Sequence, residues 1–339
     1  MNVDRFLRRA AQSVDKLGFR APSIDRLRSA RQNAANDIVD TYRREASELV
    51  ELYLDGDLQC RDTLASLVED ALVEMRHWVL AHSARHGGLE RSLAQTDRWW
   101  LAPELEELLD EPTFDENKRT RVLGDLDSLN RLLGSYQHFF DVLKPYFVQD
   151  RPTRILDLAA GHGGFALEAI RIAKAQGLEL DVTATDLKAE YLELGRARAR
   201  RENLPIKFAV QDALDLSSLA VNEGGLSDYD IIVCTQSLHH FPPGLVNVMF
   251  HSAARASKRA VVFIDGCRSS LTAIPVVGLA LARYKNLTMA HDSYVSFRKF
   301  FVPEELGMLC RLGPWADIVQ STWMRPGHCL MVLDKQIKK

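Results

Sequence analysis

From Asp150 onward, short apolar runs rich in β-branched residues alternate with amphipathic helical stretches. That alternation constrains the fold more than any other feature of the chain. The runs fall at 154–158, 180–185, 206–210, 230–234 and 260–264, with helical stretches at 164–175, 189–202 and 245–256. Strand, helix and strand at this interval predict right-handed parallel βαβ units, and several in series make a doubly wound sheet. Near the end, 316–324 and 328–333 are joined by Arg325-Pro326-Gly327 without an intervening helix. They predict an antiparallel hairpin that closes the sheet.

Before Asp150 the periodicity is helical throughout. Leu64, Leu67, Val68, Ala71, Leu72, Met75, Trp78 and Val79 draw one helix face, and Ile38, Tyr42, Leu49, Val50 and Tyr53 draw another. Gly87-Gly88 marks a break, the acidic stretch 104–116 around Pro112 reads as a surface helix and turn, and 123–147 reads as a third helix. These stripes, with Trp78 and Trp99-Trp100, are too extensive to leave in water. They must pack on each other, on the second half, or across a homodimer. At the start, Val3, Phe6, Leu7, Ala10, Val14 and Leu17 form a further stripe, read as an amphipathic helix docking on its own protein. The fold class is therefore α/β: a doubly wound, Rossmann-like sheet with a closing antiparallel hairpin, preceded by an α-helical N-terminal region. The division falls at 1–120 and 121–339.

Composition excludes several functions. A formal net charge of -3 offers no global basic field for nucleic acid or anionic lipid. The five cysteines form no C-x-x-C pair, so they read as free thiols of a reducing, cytoplasmic compartment, with no metal site expected. The apolar run 271–282 is broken by Pro275 and falls short of the roughly 20 residues a membrane span needs, so no integral membrane association is expected. Extended to 284, it reads as a lid over an apolar pocket, as a buried packing helix or as a dimer contact.

The chemistry concentrates at strand ends. In Ile155-Leu156-Asp157-Leu158-Ala159-Ala160-Gly161-His162-Gly163-Gly164, a buried strand ends in an acid, a small-residue turn follows, and a helix begins. Glycines at 161 and 163 let a ligand approach backbone where a Cβ would clash. Asp186 ends the second run, where a carboxylate can accept both hydroxyls of a ribose, and Asp212 follows the third, where it can accept from an adenine amino group. Each acid would otherwise cost desolvation.

On these residues the chain, from about Leu129 to its end, resembles the class I S-adenosylmethionine-dependent methyltransferases. Asp157, Ala159, Gly161 and Gly163 match their first motif, with alanine at the first glycine position. Asp186 matches the ribose acid and Asp212 the adenine-contacting acid. The stretch Tyr229-Asp230-Ile231-Ile232-Val233-Cys234, followed by Thr235-Gln236-Ser237-Leu238-His239-His240-Phe241, is similar to the fourth-strand motif of the small-molecule branch that includes quinone-pathway and polyketide-tailoring enzymes. So are Leu129-Asn130-Arg131-Leu132-Leu133-Gly134, His291-Asp292-Ser293-Tyr294-Val295-Ser296-Phe297-Arg298 and Pro303-Glu304-Glu305-Leu306. The resemblance implies S-adenosylmethionine as cofactor, held by Asp157, Ala159, Gly161, Gly163, Asp186, Leu187, Asp212, Ala213 and Gln236. It implies a small-molecule acceptor contacted by Tyr136, His240, Tyr294 and Arg298. A dinucleotide-dependent dehydrogenase is the competing reading. With Gly161 and Gly163 as the first two glycines of G-x-G-x-x-G, the third position holds Ala166, a tolerated substitute. Asp212 and the closing antiparallel hairpin fit the methyl donor better.

Methyl transfer is an in-line displacement that needs a base where the acceptor is not already ionised. His239 and His240 follow the fourth strand, and His291 lies in the late segment beside Asp292. His291 is the first choice for the base, then His240 and His239. The asparagine-proline-proline-aromatic motif of many adenine and amide N-methyltransferases is absent after the fourth strand, which argues against a nucleic-acid substrate. The expected activity is O-methylation of a small, fairly apolar molecule. C-methylation of a quinone-like or phenolic ring, a catalytically silent donor-binding module, and a protein methyltransferase are the alternatives.

Overall fold

The computed structural model describes residues 22–86, 88–216, 229–324 and 327–336. The stripe at 1–17 and Arg325-Pro326 of the hairpin turn lie outside them. Three helices come first: α1 (Pro22–Leu54), α2 (Leu58–His86) and α3 (Gly88–Trp100). The expected single helix at 123–147 is instead two helices, α4 (Glu116–Leu133) and α5 (Ser135–Leu143), and a short turn at Lys144–Tyr146. Gly134, at φ +74°, caps α4 in the left-handed region and redirects the chain.

The sheet then follows the sequence closely. Strands β1 (Thr153–Leu158), β2 (Leu180–Asp186), β3 (Ile206–Val210), β4 (Ile231–Thr235) and β5 (Ala260–Gly266) pair in parallel, and β6 (Val319–Met324) and β7 (His328–Asp334) are antiparallel. The order is β3-β2-β1-β4-β5-β7-β6. It reverses between β1 and β4, which opens a crevice at their carboxyl ends. Helices α6 (Gly164–Ala175), α7 (Ala189–Glu202) and α8 (Pro243–Ala256) are the crossovers. Two strands start later than expected. Asp230 is drawn out of β4 because its carboxylate accepts from Arg151 and from the Arg154 N–H. Residues Ala316–Ile318 form a short turn before β6.

Between β5 and β6 lie α9 (Ser270–Leu279), a π turn at Ala280–Tyr284, α10 (Leu287–Lys299) and α11 (Pro303–Arg311). Ile274 and Leu281 of the apolar 271–284 segment remain exposed.

The N-terminal stripes are covered within the chain. Leu64, Val68, Leu72 and Met75 share one buried cluster with Val246, Phe250 and Leu309. The fit is tight enough that a Cβ on Gly244 would stand 2.3 Å from the Ala65 carbonyl oxygen. Trp99 departs from expectation and is 73% exposed, whereas Trp100 lies edge-on to Tyr294. The five cysteines are free. Among the described residues, no helix is long and apolar enough to cross a membrane.

Candidate active site

The turn after β1 is held open by its own backbone. Ala159, Gly161 and Gly163 take φ values of +48°, +56° and +72°, so the first of these positions keeps a left-handed conformation despite its Cβ. Gly163 has a second constraint, because a Cβ there would meet the Phe208 ring at 2.8 Å. Nothing lies within 4 Å of where a Gly161 Cβ would be, so that face of the turn is open to a ligand. Asp186 braces the turn: its carboxylate accepts from the Gly161 N–H at 2.8 Å and from the Lys188 N–H at 2.9 Å. Leu187 is exposed beside it. Asp212 accepts from the Leu214 N–H at 2.9 Å, with Ala213 buried between them.

Asp157 is fully buried, and its Oδ1 has no hydrogen-bond partner among the described residues. Burial and the neighbouring Asp186 charge push this carboxyl well above the usual carboxylate range. A cationic ligand in the crevice would relieve that pair. An open glycine turn, an orphaned buried acid and two further acids at the next strand ends suit a donor carrying a ribose, an adenine and a sulfonium.

Gln236, at φ +57°, connects this turn to the helical region. Its amide exchanges two hydrogen bonds with Asn130 at 3.0 and 3.1 Å. The Ser237 hydroxyl donates to the Ala159 carbonyl at 2.8 Å. Tyr136 is buried beneath the turn and donates to Asp127 at 2.6 Å. Burial alone would raise the Asp127 carboxyl, but hydrogen bonds from His162 and Tyr136 and the Arg198 charge hold it well below the usual range. Tyr136 thus belongs to the scaffold under the donor turn.

The histidines occupy the other half of the crevice, each with a carboxylate at Nδ1. His239 is buried, with Nδ1 2.9 Å from Asp265, which also accepts its backbone N–H at 2.8 Å. Its Nε2 lies 3.3 Å from Glu107. Burial would lower its pKa, but Asp265 and Glu107 together raise it to about 10. Burial opposes ionisation of Glu107 in turn, yet His239 holds that carboxyl down to about 2. Both ring nitrogens of His239 thus face carboxylates. His240 is more open, with Nδ1 3.1 Å from Asp110. His291 is half-exposed, with Nδ1 2.8 Å from Asp292.

Glu107 and Asp110 come from the acidic stretch expected at the surface. The Leu108 and Leu109 N–H groups donate to Asp292 at 2.9 and 3.1 Å, which folds the turn at Leu108–Asp110 against α10 and buries Glu107 to 6% exposure. The Ser296 hydroxyl donates to Glu107 at 2.6 Å. Tyr294 and Arg298 are one turn apart on α10, and Arg298 is anchored to the Trp100 carbonyl at 2.8 Å. The structure thus gathers His239, His240, Glu107 and Asp110, and ties His291 to them through Asp292. Tyr136 is not part of that group. Sequence reasoning missed Glu107, Asp110, Asp265 and Ser296; Asp265 alone had a visible signal, as another acid at a strand end. A separate cavity of about 340 Å³ lies against α1–α3, lined by Arg31, Arg76, Asp97, Arg268 and Glu305 rather than by the glycine turn.

Residues 155–260 match the family described as a methyltransferase domain. No curated protein matches the chain. Among solved structures, it is similar to a SAM-dependent methyltransferase from Aquifex aeolicus at 15% identity, covering 63% of this chain and 96% of that one, with a TM-score of 0.40. An O-methyltransferase family protein from Burkholderia thailandensis is 18% identical, with 72% and 69% covered and a TM-score of 0.41. The citrinin polyketide synthase CMeT domain is 14% identical, with 78% and 68% covered and a TM-score of 0.43. At these TM-scores the likenesses carry no functional weight. The family match and the crevice do: residues 155–260 lie in a methyltransferase domain, and S-adenosylmethionine is its cofactor.

Proposed function

We propose that this methyltransferase acts on a hydroxyl oxygen of a small, fairly apolar acceptor, with His291 taking the proton. The observation that carries the reading is the set of histidine–carboxylate pairs beside the donor turn, of which His291–Asp292 has a more exposed ring than His240–Asp110. Asp292 at Nδ1 leaves Nε2 as the atom that receives a proton. An un-ionised hydroxyl needs such a base, with an ordinary phenol pKa near 10.

On this reading Asp186 holds the ribose of the donor, Asp212 its adenine, and Asp157 with the glycine turn its charged end. When bound, S-adenosylmethionine supplies an electrophilic methyl on a sulfonium. The chain's own part is to align the acceptor and keep water from the pair. His240, Tyr294 and Arg298 form the acceptor wall. On the division at 1–120 and 121–339, the helical region delivers Glu107 and Asp110 to the crevice.

The test is single-turnover methyl transfer from labelled donor in a cell extract, with mass spectrometry to find the labelled product and with S-adenosylhomocysteine counted. A new O-methyl compound is expected. His291→Ala should slow transfer about a hundredfold with donor affinity unchanged. A product methylated at carbon, or a full rate in His291→Ala, overturns the hydroxyl reading.

A further inference from the structure

A dense group of titratable side chains lies where the turns Leu108–Asp110 and Leu238–His240, the end of β5 and α10 meet. Four carboxylates (Glu107, Asp110, Asp265 and Asp292) face three imidazoles there, with Lys188 3.3 Å from Asp110 at the rim. An excess of negative charge withdrawn from water is costly unless a cation accompanies it.

One set of atoms in this group has the spacing of a cation's ligands. Glu107, His239 and His240 each offer one ligand atom, and these atoms lie within 4.8 Å of one another. His239 Nε2 and Glu107 Oε1 are 3.3 Å apart, about the separation of two ligands at roughly 2.0–2.1 Å from a tetrahedral zinc ion. Each of the three already has an orienting partner: Asp265 on His239 Nδ1, Asp110 on His240 Nδ1, and the Ser296 hydroxyl on Glu107. A carboxylate on the far ring nitrogen fixes the tautomer of a metal-bound histidine and strengthens it as a ligand.

We propose that Glu107, His239 and His240 form a binding site for one divalent transition ion of the zinc class, whose open position takes the acceptor's hydroxyl oxygen. Two imidazoles and one carboxylate suit such an ion and leave a position for substrate. On binding, His239 Nε2 releases to solvent the proton it shares with Glu107. The second half of this proposal rests on the hydroxyl reading above. On coordination the hydroxyl gives its proton to His291. The oxygen then forms the O–C bond as the S–C bond breaks, and that bond's electron pair stays on sulfur, which becomes a neutral thioether.

A second cluster, His82, His86 and Glu90, also has ligand spacing. It is the weaker site, because Glu90 is paired with Arg26 at 3.0 Å and His86 Nδ1 is 3.0 Å from the His82 carbonyl oxygen of its own helix.

The test uses the full chain, stripped with a chelator and titrated with Zn(II) by calorimetry and with Co(II) by its visible ligand-field spectrum. One equivalent should bind. His240→Ala, an exposed position that spares the fold, should weaken binding at least tenfold, and Glu107→Gln should do the same. His82→Ala should leave the titration unchanged. Absence of binding, or binding lost in His82→Ala and kept in His240→Ala, overturns the site. S-adenosylhomocysteine formation at full rate by metal-free protein also overturns it, while leaving the methyltransferase standing.

Discussion

The two halves of the crevice are built on different plans. The donor half is local: the turn after β1 and the acids after β2 and β3 are each set by the few residues around them, and Asp186 reaches no farther than the Gly161 and Lys188 amides. The acceptor half is assembled across the chain. Glu107 and Asp110 arrive from the helical region, His239 and His240 from the end of β4, Asp265 from β5, and Asp292 and Ser296 from α10. A nucleotide-bearing donor can be recognised by one recurrent arrangement of backbone and acids. The acceptor end has no such fixed partner, and here distant segments supply its charges. The plan also differs electrostatically, since the donor half strands one buried acid and the acceptor half surrounds its buried histidine with acids.

That contrast predicts separable failures. The largest effect should come from Asp265→Ala, which removes the carboxylate that takes both the ring and the backbone N–H of His239. Methyl transfer should fall by about a hundredfold or more, because a buried charge loses its partner. Donor affinity, read by calorimetry, should stay within about twofold. Equal losses of both would mean that the two halves form a single cooperative unit.

Asp186→Ala makes the converse test. It should weaken S-adenosylmethionine binding about tenfold, since the ribose loses its charged acceptor and the Gly161 N–H loses its brace. At saturating donor, turnover should recover most of its rate. An unchanged donor affinity would remove the ribose assignment.

How much was legible follows the same line. The helices at 164–175 and 189–202 and the strand at 206–210 appear with the expected bounds, because the switch of period from helix to strand marks them directly. β5 runs two residues past its expected end, since Asp265 and Gly266 go on pairing with Cys329 and His328. A strand's reach depends on its neighbour, which the strand itself does not encode. Gly134 stood in plain sight inside the presumed helix 123–147, yet only its left-handed φ makes it a cap. The stretch 104–116 is exposed along most of its length, as expected, with a helical turn at Leu108–Asp110, but Glu107 and Leu109 are buried. Its acids look like a solvated surface, and nothing local reveals that Asp292, far along the chain, will cap Leu108 and Leu109 and turn Glu107 inward. Read by resemblance, Tyr136 was assigned to the acceptor wall; its hydroxyl instead satisfies a buried aspartate.

Histidines away from the crevice sharpen the comparison by their opposite surroundings. His251 is fully buried on α8, with Nε2 donating to the Leu312 carbonyl at 2.8 Å and Nδ1 lacking any partner. A proton on Nδ1 would be an unsatisfied buried donor, and burial lowers the pKa from 6.5 to about 4. Burial does the same to His328 of β7. Between those two values the unfolded chain binds more protons than the folded one, so stability rises with pH across that window and is lost as pH falls. From pH 6.5 to about pH 5.5, each of the two should cost about 1 kcal/mol of unfolding free energy. Urea denaturation at the two pH values measures this. His251→Gln keeps a donor for the Leu312 carbonyl but does not titrate, so it should remove about half of the fall. If the variant loses as much stability as the native chain between the two pH values, His251 is not held neutral, and the line between a charged acceptor wall and a neutral scaffold fails there.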